Sequence, residues 1–365
     1  MEARMTDTRT YAIIGCGMMG REHMANIALV DGAELVAIAD PDEGSRNAAL
    51  EHARKLGLKE PVAAFHDIAG MLTVTAPDAV IIASPNFTHH RVVREHVKPW
   101  QAVLLEKPMC TTVEDAADIV RFANGHPSLF WVGLEYRYMP PVTRFIERVH
   151  SGEAGDIKML AIREHRFPFL VKVGDWNRFN RNTGGTLVEK CCHFFDLMRH
   201  ILRDEPVRVF ASGAQDVNHL DELYDGEVPD IIDNAFVLVD FAGGARAMLD
   251  LCMFAEGSEQ QEEISAVGPV GKLEVKLPLG EVTWSPRDKS GPSVETVDTP
   301  AHALAAGDHH GATYYQLRDF HAALVNGTPA LITARDGYRS VVMGAAAQES
   351  IATGLPVDII FADEE

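Results

Sequence analysis

Between Tyr11 and Val132 the chain alternates short apolar runs with longer amphipathic ones. Tyr11–Ile14 (YAII), Glu34–Ala39 (ELVAIA), Ala79–Ala83 (AVIIA), Ala102–Leu105 (AVLL) and Leu129–Val132 (LFWV) are too short for helices and mostly unbroken in apolar character, as strands covered on both faces are. Arg21–Val30, Ser45–Lys55, Thr88–Val97 and Thr111–Asn124 mix polar and apolar residues and read as the intervening helices. Strand and helix in strict alternation predict a doubly wound parallel sheet of the α/β class, with ligands at the carboxyl ends of its strands. Those ends carry SPNFTHH after Ala83 and EKPM after Leu105.

Beyond Gly133 the pattern changes. Segments 157–165, 207–215, 234–242 and 245–254 read as longer strands, the last two joined by Gly243 and Gly244, a hairpin signal. A large antiparallel or mixed sheet is expected there. Residues 280–308, rich in Ser, Pro, Gly and charge, read as irregular surface structure, and Ala312–Val325 and Ala334–Thr353 as helices. At 365 residues two domains are expected, 1–133 and 134–365.

Composition narrows the class. A hydrophobic content of 46% and a charged content of 24% are those of a soluble globular protein. The net charge of −20 argues against nucleic acid or an anionic membrane as partner. The opening residues MEARMTDTRT are charged and lack an apolar core, so neither a signal peptide nor an anchor is expected, and no apolar run approaches a membrane span. Five cysteines at irregular spacings, Cys16, Cys110, Cys191, Cys192 and Cys252, read as reduced thiols of a cytoplasmic protein. Cys191, Cys192 and His193 are adjacent, but neighbours on a helix point about 100° apart, so no metal is expected.

Gly15, Gly17 and Gly20 spell G-x-G-x-x-G between the first strand and the first helix, and Asp40 ends the second strand twenty residues after Gly20. In this arrangement Gly15 permits the tight turn, Gly17 lets a pyrophosphate approach, and Gly20 lets helix and strand pack closely. The N–H groups of the opening turn, through Met18 and Met19, then face the phosphates. Asp40 accepts ribose hydroxyls and repels a 2′-phosphate, and Pro41 and Asp42 rather than Arg follow it, so NAD is expected over NADP.

The second candidate region is GGTLVEKCCHFFDLMRHI, 184–201. On one continuous helix Glu189, His193, Asp196 and His200 fall within roughly 60° of one another. A solvated face and a site-lining face both fit this stripe; Gly184 and Gly185 favour the site, since such glycines let a ligand or another backbone come close. Lys107, at the end of a buried strand where a nicotinamide would lie, is a candidate for proton transfer.

Together these features resemble the Gfo/Idh/MocA oxidoreductases over nearly the whole chain. The matching pieces are GCGMMG (15–20), ASPNFTH (83–89), EKP (106–108), EYRYMP (135–140), SGEAGDI (151–157) and the GG…E…H..D run of 184–196. The resemblance implies an N-terminal Rossmann domain, a C-terminal α/β domain with a large open sheet used for oligomerisation, and a homo-oligomer, dimer or tetramer. It also implies NAD or NADP, and a sugar, inositol or related polyol as substrate. Lys107 matches the catalytic lysine and His193 the active-site histidine; Ser84, Asn86, His89 and Glu106 match positions near the nicotinamide half of the cofactor. The chain departs from the family at Glu189, where Asp is usual, and at Cys191, where Gly is common.

The implied reaction is hydride transfer from a secondary carbinol carbon, with His193 or Lys107 acting together as base and Glu189 orienting or tuning the pair. Two alternatives remain open: a glycosidase that uses NAD by transient oxidation, elimination, hydration and re-reduction, such as a sulfoquinovosidase, and a non-enzymatic NAD-binding sensor. Segment 161–183 holds Arg163, Arg166, Lys172, Arg178 and Arg181 against Glu164 and Asp175 alone. That excess, with Trp176 and Phe179 as flat surfaces, suggests an anionic sugar or glycoside gripped by the arginines; an exposed loop or a subunit contact fits it equally.

Overall fold

The computed structural model describes residues 8–58, 61–288, 290–307 and 309–362. The expectation for the N-terminal segment therefore rests mainly on residues outside the described ones. The chain divides into two compact units: Met1–Cys110, Glu114–Glu135 and Ala301–Tyr338 form the first, and Thr111–Val113, Tyr136–Pro300 and Arg339–Glu365 the second.

In the first unit, β1 (Arg9–Ile14), α1 (Met18–Ile27), β2 (Ala33–Ala39), α2 (Glu43–Lys55), β3 (Ala63–Phe65), α3 (Ile68–Thr75), β4 (Ala79–Ile82), α4 (His89–His96), β5 (Ala102–Glu106), α5 (Val113–Gly125) and β6 (Phe130–Gly133) alternate; the sequence predicts this order apart from the short β3 and α3, which it does not reveal. All six strands are parallel, in the order β3-β2-β1-β4-β5-β6. Residues 79–82 and 102–105 are fully buried, which is why their sequences are apolar without alternation. Asp42 and Asp67 cap α2 and α3 by accepting N–H bonds from Ser45 and Gly70.

The second unit opens with α6 (Pro140–His150), β7 (Met159–His165), α7 (Asn180–Thr183), α8 (Thr186–Glu189) and α9 (Cys192–Leu202). It continues with β8 (Pro206–Ala214), β9 (Asn234–Phe241), β10 (Arg246–Cys252), β11 (Glu262–Val267), β12 (Gly271–Leu277), β13 (Glu281–Pro286) and β14 (Ser293–Thr296). The chain then returns to the first unit with α10 (Ala301–Leu304) and α11 (Ala312–Asn326), and ends with α12 (Ala334–Thr353) and β15 (Val357–Asp358). On α11, Phe320 packs edge-on against Tyr11 of β1 and Trp131 of β6, and His321 Nδ1 meets the Tyr11 hydroxyl at 2.8 Å.

Nine strands form one mixed sheet in the order β14-β13-β12-β11-β7-β10-β9-β8-β15. β7 and β10 pair in parallel and their neighbours are antiparallel. One face is core: Leu160, Ile162, Val237, Val239, Leu249, Ile264, Leu273 and Val275 are buried. On the other, Met159, Phe210, Phe236 and Leu238 are exposed.

Residues 280–308 are not the irregular segment expected. They contain β13 and β14, an antiparallel pair that extends the sheet past β12, and α10; Lys289 and Asp308 lie outside the described residues. The edge strand β14 buries none of its residues and its neighbour β13 only Val282, so their polar composition resembles that of a loop.

Candidate active site

In the first unit the glycine turn is built to exclude side chains at two points and to leave room at a third. A Cβ on Gly15 would lie 2.5 Å from the Ala83 carbonyl oxygen, and one on Gly20 2.0 Å from that of Gly15. A Cβ on Gly17 would meet nothing within 4 Å. Gly17 is also the N-cap of α1 and gives it no side-chain hydrogen bond, so the turn that opens with Met18 and Met19 presents its N–H groups uncapped by a side chain. Open space beside uncapped N–H groups is what a pyrophosphate requires.

Asp40 closes the turn. Its Oδ2 accepts from the Cys16 N–H at 2.7 Å and its Oδ1 from the Asp42 N–H at 2.8 Å, which leaves further lone pairs for ribose hydroxyls. One turn into α2, Arg46 donates through Nη1 to the carbonyls of Asp40 (2.6 Å) and Pro41 (3.0 Å). Pro41 and Asp42, directly after Asp40, carry no positive charge, but Arg46 returns to the same loop because helical residues early in α2 face its N-terminus.

At the ends of β4 and β5 the side chains hold the loops together. Ser84 Oγ pairs with Thr88 Oγ1 at 2.7 Å. His89 is buried with its two ring nitrogens on the carbonyls of Ser84 and Pro108, each at 2.9 Å, and burial pushes its pKa down. It ties the two loops to each other. Asn86 is buried, and its Nδ2 has no acceptor among the described residues, the kind of vacant donor a cofactor amide or hydroxyl would satisfy. Glu106 accepts from His23 Nε2 at 2.7 Å and, through Oε2, from the Lys107 N–H at 3.1 Å, so its carboxylate fixes the backbone that presents Lys107. Burial works against that charge, yet His23 holds the Glu106 pKa below its ordinary value.

Two further buried carboxylates were not named as site residues by the sequence. Glu22 accepts from Thr313 at 2.6 Å and pairs with His309 at 2.9 Å. Glu135 is pushed up to about 7, mainly by burial and then by the Glu106 charge. Glu135 opens the EYRYMP motif, but the partners that define both groups, Thr313 and His309 for Glu22 and the Glu106 charge for Glu135, lie far away in sequence.

In the second unit the segment 184–201 is not one helix. α8 ends at Glu189, and α9 begins at Cys192 after a wide turn in which the Cys191 N–H reaches back to the Thr186 carbonyl. The N–H groups of Phe194 and Phe195 then converge on the Cys191 carbonyl. Nor is the face solvated: Glu189, His193 and Asp196 are all buried. Asp196 is held by the Arg137 guanidinium in a bidentate pair, through Nε at 2.6 Å and through Nη2. The His200 carbonyl accepts from His150 at 3.0 Å. The glycines admit protein: a Cβ on Gly184 would lie 2.6 Å from the Thr111 carbonyl, and one on Gly185 1.8 Å from Gln348 of α12.

His193 lies flat on the ring of Tyr136, centroids 3.9 Å apart and planes within 8°. Lys190, in the wide turn, is 3% exposed; its ammonium donates to Glu164 at 2.9 Å and to the Tyr136 hydroxyl at 2.5 Å. Lys190 was missed because the sequence presents it as one polar residue of an amphipathic run.

The basic segment before this site carries its own counter-charges. Arg163 meets Asp250 at 3.0 Å, Arg166 Glu164 at 3.3 Å, Arg178 Glu222 at 2.9 Å and Arg181 Glu227 at 2.6 Å. Trp176 is half-buried in the turn before α7, where its carbonyl accepts from Asn182. Most of these carboxylates come from 222–250, remote in sequence, so the local excess of positive charge is matched in the fold.

A six-stranded parallel sheet with this glycine turn and acidic strand end defines a dinucleotide-binding architecture. The family model "Oxidoreductase family, NAD-binding Rossmann fold" matches residues 9–134, and "Oxidoreductase family, C-terminal alpha/beta domain" matches 146–359. The chain therefore belongs to the Gfo/Idh/MocA oxidoreductase family, with NAD as its cofactor. It is 26% identical to the myo-inositol 2-dehydrogenase of Thermotoga maritima, covering 93% of this chain and 95% of that one. It is 25% identical to the scyllo-inositol 2-dehydrogenase (NAD(+)) of Bacillus subtilis, with 95% of each covered. The solved structure of a levoglucosan dehydrogenase in complex with NADH shares the fold at a TM-score of 0.83 and 19% identity, over 97% of this chain and 99% of that one.

Proposed function

We propose that the protein is an NAD-dependent dehydrogenase acting on a secondary hydroxyl of a neutral sugar or polyol. The observation that carries the cofactor half is the open space at Gly17 between the uncapped turn of α1 and the carboxylate of Asp40. The substrate half is supported by the inositol dehydrogenases among its relatives. Residues 1–133 would serve the cofactor, and 134–365 the substrate and self-assembly through the open sheet.

Bound NAD supplies the hydride acceptor. The protein's own residues then have the hydroxyl proton to manage. Lys107, presented on a backbone that Glu106 fixes, and His193, held flat on Tyr136, are the groups proposed to take it, with Glu189, which precedes His193 in the same segment, to orient or tune the pair. Ser84, Asn86 and His89 shape the nicotinamide end, Asn86 through its vacant amide donor. The pairing of Arg163, Arg166, Arg178 and Arg181 with carboxylates favours a neutral substrate over an anionic one, because each guanidinium already has its anion.

The test is a panel of myo-inositol, scyllo-inositol, neutral sugars, uronates and aryl glycosides with NAD, followed for both NADH and aglycone. Stoichiometric NADH from a neutral polyol is the expected result. Aglycone release without net NADH would replace the reading with transient oxidation, and a higher kcat/KM for uronates that falls on single Arg→Ala changes would restore the anionic substrate. Lys107→Met and His193→Ala should each lower kcat by about 100-fold or more while the Kd for NAD stays within about twofold.

A further inference from the structure

The buried Lys190 has no role in the reading above. Burying an ammonium is unfavourable unless its donors are satisfied by well-placed partners. Here the partners are built in. Glu164, near the end of β7, is fully buried and accepts at 2.9 Å; Tyr136 accepts at 2.5 Å. Glu164 is itself an awkward group: it lies directly opposite the buried Glu262 across the β7–β11 ladder, and burial, together with that charge, pushes its pKa up. Arg166 reaches the same Glu164 oxygen at 3.3 Å. The pair therefore stands among charges that a well-packed apolar residue at 190 would have avoided.

What the lysine holds is the Tyr136 hydroxyl. The face of that ring is the surface on which the His193 imidazole lies, at 3.9 Å and 8°, and its edge meets Phe194 at 5.7 Å and 73°. A ring held by packing alone can rotate and slide; one also held at its hydroxyl has a single orientation, and an imidazole stacked on it inherits that plane. Lys190 and His193 sit on either side of the start of α9, so a single wide turn supplies both the residue that pins the ring and the residue that rests on it.

We propose that Lys190 is a positioning residue: through the Tyr136 hydroxyl it fixes the plane of the His193 imidazole. The functional part of this rests on His193 taking part in proton transfer, as set out above. The geometric part does not.

The experiment uses the full chain labelled with ¹³C at histidine Cε1, with the His193 resonance assigned by its loss in His193→Gln. A stacked tyrosine face shields that proton, so its shift reads the clamp without any substrate. In Lys190→Met and in Tyr136→Phe the resonance should move downfield toward an unstacked imidazole and broaden; in Lys190→Arg it should return toward wild type. With myo-inositol and NAD as probe, kcat should fall about 10- to 100-fold in the first two variants, recover in part in Lys190→Arg, and leave the KM for NAD within about twofold. A wild-type His193 shift in both Lys190→Met and Tyr136→Phe overturns the clamp. A lost shift with unchanged kcat overturns its importance for turnover. Should Lys190→Met not fold, Tyr136→Phe decides, since it leaves the Lys190–Glu164 pair in place. If His193→Gln retains full turnover, the role given to His193 fails, while the shift still reports whether Lys190 holds the ring.

Discussion

At the scale of single residues, the proposed preference for NAD over NADP rests on two side chains of opposite sign in one loop. The Asp40 carboxylate accepts two backbone N–H bonds, and Arg46 hangs over the same loop on the carbonyls of Asp40 and Pro41. A 2′-phosphate would meet the carboxylate first, so NAD should bind at least about tenfold more tightly than NADP, roughly the 1.4 kcal/mol of one unfavourable charge contact. Asp40→Ser should narrow the gap by exposing the phosphate to Arg46, and Asp40→Ser with Arg46→Ala should reopen it; titration of both cofactors against the three proteins is the measurement. Equal affinities in the wild type would remove the role of Asp40. A second residue-scale expectation concerns Glu135, whose carboxyl burial, and then the Glu106 charge, raises from 4.5 to about 7. A carboxyl whose folded pKa lies above its unfolded one stabilises the native state in its protonated form. That contribution is fully present below about 4.5 and is lost as the pH rises through about 7. Glu135→Gln, which keeps the neutral shape, should therefore gain in melting temperature over the wild type between about pH 5 and pH 8, with the advantage largest at the upper end. Parallel curves across that window would mean that Glu135 does not titrate there.

At the scale of elements, the tight turn between β1 and α1 allows the cofactor site to be separated from the fold. A Cβ at position 20 would run into the Gly15 carbonyl at 2.0 Å, whereas one at position 17 would meet only open space. Gly20→Ala should thus destabilise the protein by about 1–3 kcal/mol, the usual range for overpacking. Gly17→Ala should melt like the wild type yet lose most of its NAD affinity, seen by calorimetry against thermal denaturation. Unchanged NAD binding in Gly17→Ala would place the pyrophosphate elsewhere. The first unit was legible in the sequence for a physical reason. Strands buried on both faces must be apolar throughout, and glycines that admit a neighbouring backbone cannot be anything else. The second unit was legible only in part. β8, β9 and β10 stand out through their apolar runs and the Gly243-Gly244 turn, while β11 and β12, EEISAV and GKLEVKL, alternate charge with apolar residues and passed unnoticed although that alternation marks a one-faced strand. The break at Lys190 and Cys191 was invisible because neither residue is a helix breaker; it is tertiary packing, with Lys190 drawn to Glu164 and Tyr136, that opens the turn. The pairing of Arg163, Arg178 and Arg181 was illegible for the opposite reason. Local charge counts cannot see partners such as Asp250, Glu222 and Glu227 that arrive from distant strands and loops.

At the scale of the whole molecule, a net charge of −20 sits beside an uncharged row on the exposed face of the large sheet. By strand register, Phe210 faces Leu238, Leu238 faces Met248, and Met248 faces Ala161, so four neighbouring strands present apolar side chains side by side. Leu238 is 55% exposed, Phe236 62% and Met159 63%. The row is bordered by ion pairs that lie across the strands, Arg208 with Asp240 at 2.6 Å and Arg163 with Asp250 at 3.0 Å. A contiguous apolar patch with a charged border is the anatomy of an interface rather than of a solvated surface. Its border holds both signs, so a copy of the same face turned through a two-fold axis can meet it with opposite charges aligned. Strongly acidic chains repel each other, and self-association would need an apolar surface of this kind to outweigh the repulsion, more easily at high salt. The protein is therefore expected to assemble through this face. Leu238→Asp combined with Phe236→Asp places two carboxylates on each copy of the patch without touching the core face of β9, whose Val237 and Val239 are buried. Sedimentation velocity should show the wild type as a dimer or tetramer and the double variant shifted to monomer, with NAD affinity unchanged because the cradle at Gly15–Gly20 lies in the other unit. An assembly that survives both substitutions would place the interface on another surface.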